Sequence, residues 1–215
     1  MSGVTAQQGE ARERLLDAAA LLFARRGYAA VSIRDIAAEA GVNSASIAYY
    51  FGGKEGLLAA CYRRVCVPIV EARLRRLEAA RAKPGYSLED ALEAFIRPSL
   101  SAPEGTDTPY RLRSVLVAEQ SRLLDSLVAE VFDPGIAVFV DAFHAFLPAL
   151  SREDVLWRFH FLVGALTYGA AGVHRIRILS GGRCDPSDPE ALTRELVAFA
   201  AAGLRAPPAA KAGPD

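Results

Sequence analysis

Between Val31 and Leu58 the chain reads VSIRDIAAEAGVNSASIAYYFGGKEGLL, a run so punctuated by turn residues that it admits only short helices. Ser32 precedes Ile33 and is followed three residues later by Asp35, so its hydroxyl caps a helix start while the carboxylate favours the positive end. Ile33, Ile36, Ala37 and Ala40 then share one helical face. Gly41 suits the left-handed conformation that closes a helix, and Asn43 can cap the next one, which spans Ser44 to Tyr50. Two short helices joined by a three-residue turn containing glycine are the signature of a helix-turn-helix.

Gly52-Gly53-Lys54 has the look of a phosphate-gripping loop. A nucleotide-binding loop of the form G-x-x-x-x-G-K-[ST] needs bare backbone five residues before its second glycine and a hydroxyl after its lysine. Ala48 and Glu55 occupy those places, so the two glycines read instead as a turn between helices.

Hydrophobic residues make up 52% of the 215 and aromatic residues only 8%, with alanine and leucine dominating. Both lose little on entering a helix, so the fold is predicted to be all-α, with about nine helices. A first amphipathic helix runs from Glu10 to Arg26 and stops at Gly27. A long one starts at Lys54 or Glu55, carries Pro68 as an expected kink and ends near Arg81. Ser87 with Asp90 opens a helix to about Pro98, followed by a loop over 101–109 and a helix from Arg111 to Leu124. Asp133-Pro134 starts the next, to Leu147; Ser151 with Asp154 opens one reaching about Leu179; Asp188-Pro189 opens the last, to about Leu204. The domains expected are residues 1–54 (helix-turn-helix), 55–205 (a larger helical domain, to which the resemblance described below assigns regulation and dimerisation) and a disordered tail over 206–215.

Net charge is zero, which proposes no partner. Cys61, Cys66 and Cys184 lack metal-ligand spacing and read as idle thiols in a reducing compartment. The N-terminus has neither the basic nor the apolar region of a secretory signal, and no stretch is apolar enough to span a membrane, so the expected location is cytoplasmic. No metal or other cofactor is expected.

Residues 31–58 resemble the TetR family of transcriptional regulators: the capped helix, the I-A-x-x-A-G-V turn, the short recognition helix, the aromatic cluster ending in Phe51 and the Lys-Glu-x-Leu start of the next helix. The resemblance implies a homodimer that binds a palindromic double-stranded DNA operator and is released by a small-molecule effector. Ser44, Ala45 and Ser46 are thin and polar enough to enter a major groove. Tyr49 and Tyr50 can offer hydroxyls to phosphates, Lys54 can share a phosphate with free helix N–H groups, and Ser32 and Arg34 can add backbone contacts. Ala48 departs from the pattern, since many members carry tyrosine there, and this shifts contact to Tyr49 and Tyr50. From Met1 to Lys54 six basic residues face five acidic ones, so non-specific attraction to DNA is weak per subunit.

For dimerisation, Leu162, Leu166, Val173, Leu192, Leu196 and Phe199 supply apolar bulk, while Gly169, Ala170 and Gly203 let helix axes approach. An effector pocket is placed at Phe95, Phe139, Phe143, Phe161 and Tyr168, with Arg111, Glu119, His144 and His160 as orienting polar groups. Core packing is the competing reading for each. Two other functions compete: an adaptor of the same fold that binds protein, and an all-α enzyme, for which no catalytic signature is present.

Overall fold

A computed structural model of the chain describes residues 2–100, 122–170 and 175–208. Its helices are α1 (Ser2–Arg26), α2 (Ile33–Ala40), α3 (Ala45–Phe51), α4 (Lys54–Arg81), α5 (Leu88–Leu100), α6 (Arg122–His144), α7 (Arg152–Ala170), α8 (Arg175–Leu179) and α9 (Pro189–Arg205). Among the described residues there is no strand, as the composition predicts. The expected loop over 101–109, most of the helix from Arg111 to Leu124, and the tail beyond 208 lie outside the described residues. No described helix is long and apolar enough to cross a membrane.

Three helices start on the same reciprocal cap. Asp35 N donates to Ser32 Oγ at 3.1 Å while Ser32 N donates to Asp35 Oδ2 at 2.8 Å. Ser87 with Asp90 and Ser151 with Asp154 repeat the pair. Each box satisfies donors that a helix start leaves without an intrahelical partner. Ahead of Pro189, Asp188 Oδ1 accepts from Glu190 N at 2.9 Å and Ala191 N at 3.2 Å.

Two proline signals are overridden. Asp133-Pro134 does not start a helix but lies inside α6, and Pro98 lies inside α5, which continues to Leu100. An internal proline forfeits one backbone bond. Burial of Val131 and Phe132 before Pro134, and of Phe139 and Val140 after it, keeps α6 helical on both sides. The helix expected from Ser151 to about Leu179 is described as α7 up to Ala170 and as α8 from Arg175, with residues 171–174 outside the described residues, and Gly182 N donating to Arg177 O at 2.8 Å closes its end where the glycine pair was expected to.

The chain forms two compact units. The first holds the described residues up to Pro68 with those from Arg122 to Phe132, and the second holds the rest, so this division falls inside α4 and α6. In the first unit Leu15, Ala19 and Phe23 of α1, Ile36 of α2, Ile47 of α3 and Leu57 of α4 are all fully buried.

In the second unit Phe95 meets Phe139 and Phe159 edge-on at 5.1 and 5.0 Å, and Phe143 completes the cluster. The guanidinium of buried Arg73 lies 3.8 Å from the Phe95 ring centroid, with Nε donating to Phe95 O and Nη2 to Ser99 Oγ. Around this core α5 and α9 run antiparallel: Arg97 at the end of α5 pairs with Glu190 at the start of α9, and Glu89 pairs with Arg205 at the opposite ends. Each acid sits at a helix N-terminus and each base at a C-terminus, as the helix dipoles favour. Arg158 of α7 donates to the carbonyls of Leu204, Ala206 and Pro207, which holds the beginning of the expected disordered tail against α7.

Because Phe143 is fully buried among three other rings, Phe143→Ala is expected to cost about 3–5 kcal/mol, read as a lower urea midpoint with an unchanged slope.

Candidate nucleic-acid interface

α3 has seven residues, too few to be stable alone, so its neighbours must hold it. Asn43 Oδ1 accepts from Ala45 N at 2.8 Å and caps its start, while the preceding hydroxyl of Ser44 makes no cap bond. Buried Ile47 pins its inner face. Gly52, with φ 72°, closes its end through a bond from its N–H to Ala48 O, and Gly53, with φ 129°, turns the chain into α4. That turn brings α3 hard against α4: a Cβ added to Gly56 would lie 1.8 Å from the Phe51 carbonyl oxygen.

These constraints leave Ser44, Ala45, Ala48 and Tyr49 exposed, with Ser46 and Tyr50 half-buried. Tyr49 is 76% exposed and its ring is steadied by an edge contact with Tyr50 at 4.9 Å. Ser32 and Arg34 are exposed at the start of α2. Lys54 is placed less openly than the sequence suggests. Its ammonium donates to Tyr28 O at 2.7 Å and sits 4.1 Å from the centre of the Tyr28 ring, tying the α1–α2 turn to the start of α4. One of its three donors is thus committed to the fold.

The other predicted sets do not assemble as expected. Phe95, Phe139 and Phe143 are packed in the core, and half-buried His144 is engaged with Leu150 O at 3.0 Å. His160, Phe161 and Tyr168 are exposed on α7 instead. α7 is apolar on two opposite faces: Val155, Phe159, Leu162 and Leu166 point inward, while Trp157, Phe161 and Tyr168 point outward at the same helical spacing. Leu162, Leu166 and Leu196, predicted to join two subunits, are therefore core residues of one. Leu192 packs on Gly169 within the chain, and Ala170 is half-buried against the same core. Among the described members of that set only Phe199 and Gly203 are exposed. Arg111, Glu119 and Val173 lie outside the described residues. Trp157, 63% exposed and stacked near Phe161 at 5.9 Å, stands outside the predicted set, although its spacing to Phe161, Gly164 and Tyr168 marks one helix face.

Cys61 and Cys66 take no part in the interface, since both are buried, and burial pushes Cys61 up to about 12. Asp35 is held below the ordinary aspartate value by the hydrogen bonds it accepts from Ser32, the hydroxyl's first.

Residues 15–61 match the family described as bacterial regulatory proteins, tetR family, and residues 93–203 match the tetracyclin repressor-like C-terminal domain. The HTH-type transcriptional regulator BetI of Paraburkholderia phymatum is 33% identical over 60% of this chain and 77% of its own length. BetI of Paraburkholderia xenovorans is 28% identical with the same coverage. A TetR-like transcriptional regulator from Rhodococcus sp. RHA1 superposes with a TM-score of 0.65 at 23% identity, covering 90% of this chain and 95% of that one.

Two outcomes follow from this geometry. Gly56→Ala must displace α3 from α4, so it is expected to weaken duplex DNA binding at least about tenfold while the second unit's unfolding is unchanged. Asp35's lowered value means that its stabilisation is complete above the ordinary value of 3.8 and is lost as pH falls through the lower one. The difference in melting temperature between the native chain and Asp35→Asn, clear at neutral pH, should close below that range.

Proposed function

The chain belongs to the TetR family of transcriptional regulators, and on that premise we propose that it is a homodimeric repressor that leaves a palindromic operator when a small-molecule effector binds. The observation that carries the reading is the exposed face of α3, held by a cap, a buried isoleucine and a side-chain-free contact at Gly56. A helix fixed in this way and thin along its outer side fits a major groove, with α2 crossing the backbone beside it. Arg34, Tyr49 and Tyr50 take phosphates, and Lys54 contributes with its remaining donors while bracing the Tyr28 turn; Ser32, expected to join them, gives both its N–H and its hydroxyl proton to Asp35.

The second copy, on this reading, covers the outward faces of α7 and α9. Trp157, Phe161, Tyr168 and Phe199 are each more than 60% exposed, an unusual amount of large apolar surface for one subunit. Cβ atoms added at Gly164 and Gly203 would meet nothing within 4 Å, so both positions leave room for a facing helix. A two-fold dimer places its recognition helices one DNA turn apart, which a palindrome mirrors.

Effector action needs only differential affinity. A ligand that binds the second unit more tightly in the state unable to bind DNA shifts the population towards it. α4 is part of both units and is the route by which such a shift reaches the recognition helix.

The test is DNA binding to the region flanking its own gene, followed as salt is raised. Affinity should fall roughly a hundredfold between about 50 and about 200 mM salt; salt-independent binding, or none, would contradict the proposal. Trp157→Asp with Phe161→Asp should convert the protein to the monomer mass in sedimentation and abolish operator binding. A doubly substituted chain that stays dimeric would remove α7 from the interface.

A further inference from the structure

We propose that α3 reads its operator through the C5-methyl groups of thymine, with Ala45, Ala48 and Tyr49 as the specificity-determining residues, and without a bidentate hydrogen bond to any base. The inference rests on the DNA-binding function proposed above.

In the major groove guanine is typically read by Arg or Lys, adenine by Asn or Gln, and cytosine by Glu or Asp. The sequence of α3, ASIAYYF, contains none of these. The nearest is Asn43, just ahead of the helix, and its Oδ1 is already accepting the Ala45 N–H at 2.8 Å. That cap bond fixes the orientation of the amide on the helix start, which removes the freedom it needs to align Oδ1 and Nδ2 together on an adenine edge. The nearby cations stand outside α3: Arg25 and Arg26 end α1, Arg34 is in the first turn of α2, the helix that crosses the DNA backbone in this docking mode, and Lys54 opens α4 with its ammonium on the Tyr28 carbonyl and ring. The Ser44 hydroxyl both donates and accepts, so it discriminates weakly among bases, and the Tyr49 hydroxyl is the group that takes a phosphate, which leaves the Tyr49 ring for the groove.

What remains on the exposed face is carbon. Ala45 and Ala48 are three residues apart and Tyr49 follows, so at about 100° per residue the three lie within an arc of about 100°. Both alanines are exposed, and the Tyr49 ring is 76% exposed yet steadied against Tyr50. The small side chain at Ala48 lets the helix backbone sit deep, which brings methyl against methyl. Thymine alone presents a methyl group in the major groove, and apolar contact with it is the readout open to such a face.

The experiment begins with selection of duplexes from a random double-stranded pool by the full-length protein. Each thymine of the selected half-site is then replaced, one at a time, by deoxyuridine, which keeps base pairing and removes only the methyl. At one or two positions per half-site affinity should fall about fourfold for each methyl lost. Ala48→Gly should weaken binding to the thymine duplex and lose that effect on the matching deoxyuridine duplex. This cycle separates a contact from a general loss of helix stability, which would weaken both equally. Unchanged affinity when all half-site thymines are replaced would overturn the proposal, as would equal weakening by Ala48→Gly on both duplexes. So would a selected site whose binding collapses when one guanine is replaced by 7-deazaguanine. If no duplex binds in a salt-dependent way, the DNA-binding function itself fails, and this proposal with it.

Discussion

The contact between the Phe51 carbonyl and the backbone of Gly56 is the point on which the arrangement of the first unit turns. No side chain fits there, so the end of α3 and the first turn of α4 meet backbone to backbone. A seven-residue helix has little stability of its own, and it acquires a fixed direction only because α4 does. The two left-handed glycines that precede the contact supply the sharp reversal that brings the helices together. Lys54 adds a second tie at the same corner by holding the Tyr28 carbonyl and ring. The corner is therefore a rigid elbow in which the recognition surface is an extension of α4.

Local chemistry was the most legible part of this chain. The Ser-x-x-Asp boxes at residues 32, 87 and 151, the left-handed Gly41 and the Asp188-Pro189 start depend on residues two to four apart, and all appear as read. Pro134 shows where such local signals fail. Asp-Pro is an acceptable helix start, but buried apolar residues on both sides of it favour one continuous helix, and tertiary packing prevails over a single missing bond. The tie from Lys54 to Tyr28 is illegible for a related reason, since the carbonyl partner lies 26 residues away and nothing nearby announces it.

α7 illustrates a deeper limit. Periodicity identifies a helix with apolar residues on one face, but this helix carries two such faces. Nothing in the spacing says whether Leu162 and Leu166 or Phe161 and Tyr168 turn inward, and the leucines expected at a subunit interface are buried while the aromatics expected in a pocket are exposed. Exposure settles the question for one subunit: the leucines are core, and the aromatics with Trp157 form the outward surface. The same reversal moves Phe161 and Tyr168 out of the expected pocket and onto the face available to a second copy.

The near-neutral charge of the DNA-facing region fits a regulator that relies on shape and on a precise pair of helices more than on bulk attraction. On the proposed function two such helices grip successive major grooves, and hydroxyl-radical footprinting on the DNA flanking its own gene tests this most directly. Two protected tracts of equal length, related by dyad symmetry with centres about ten base pairs or a multiple of that apart, are the predicted result. A single tract, or uniform weak protection along the fragment, would contradict it.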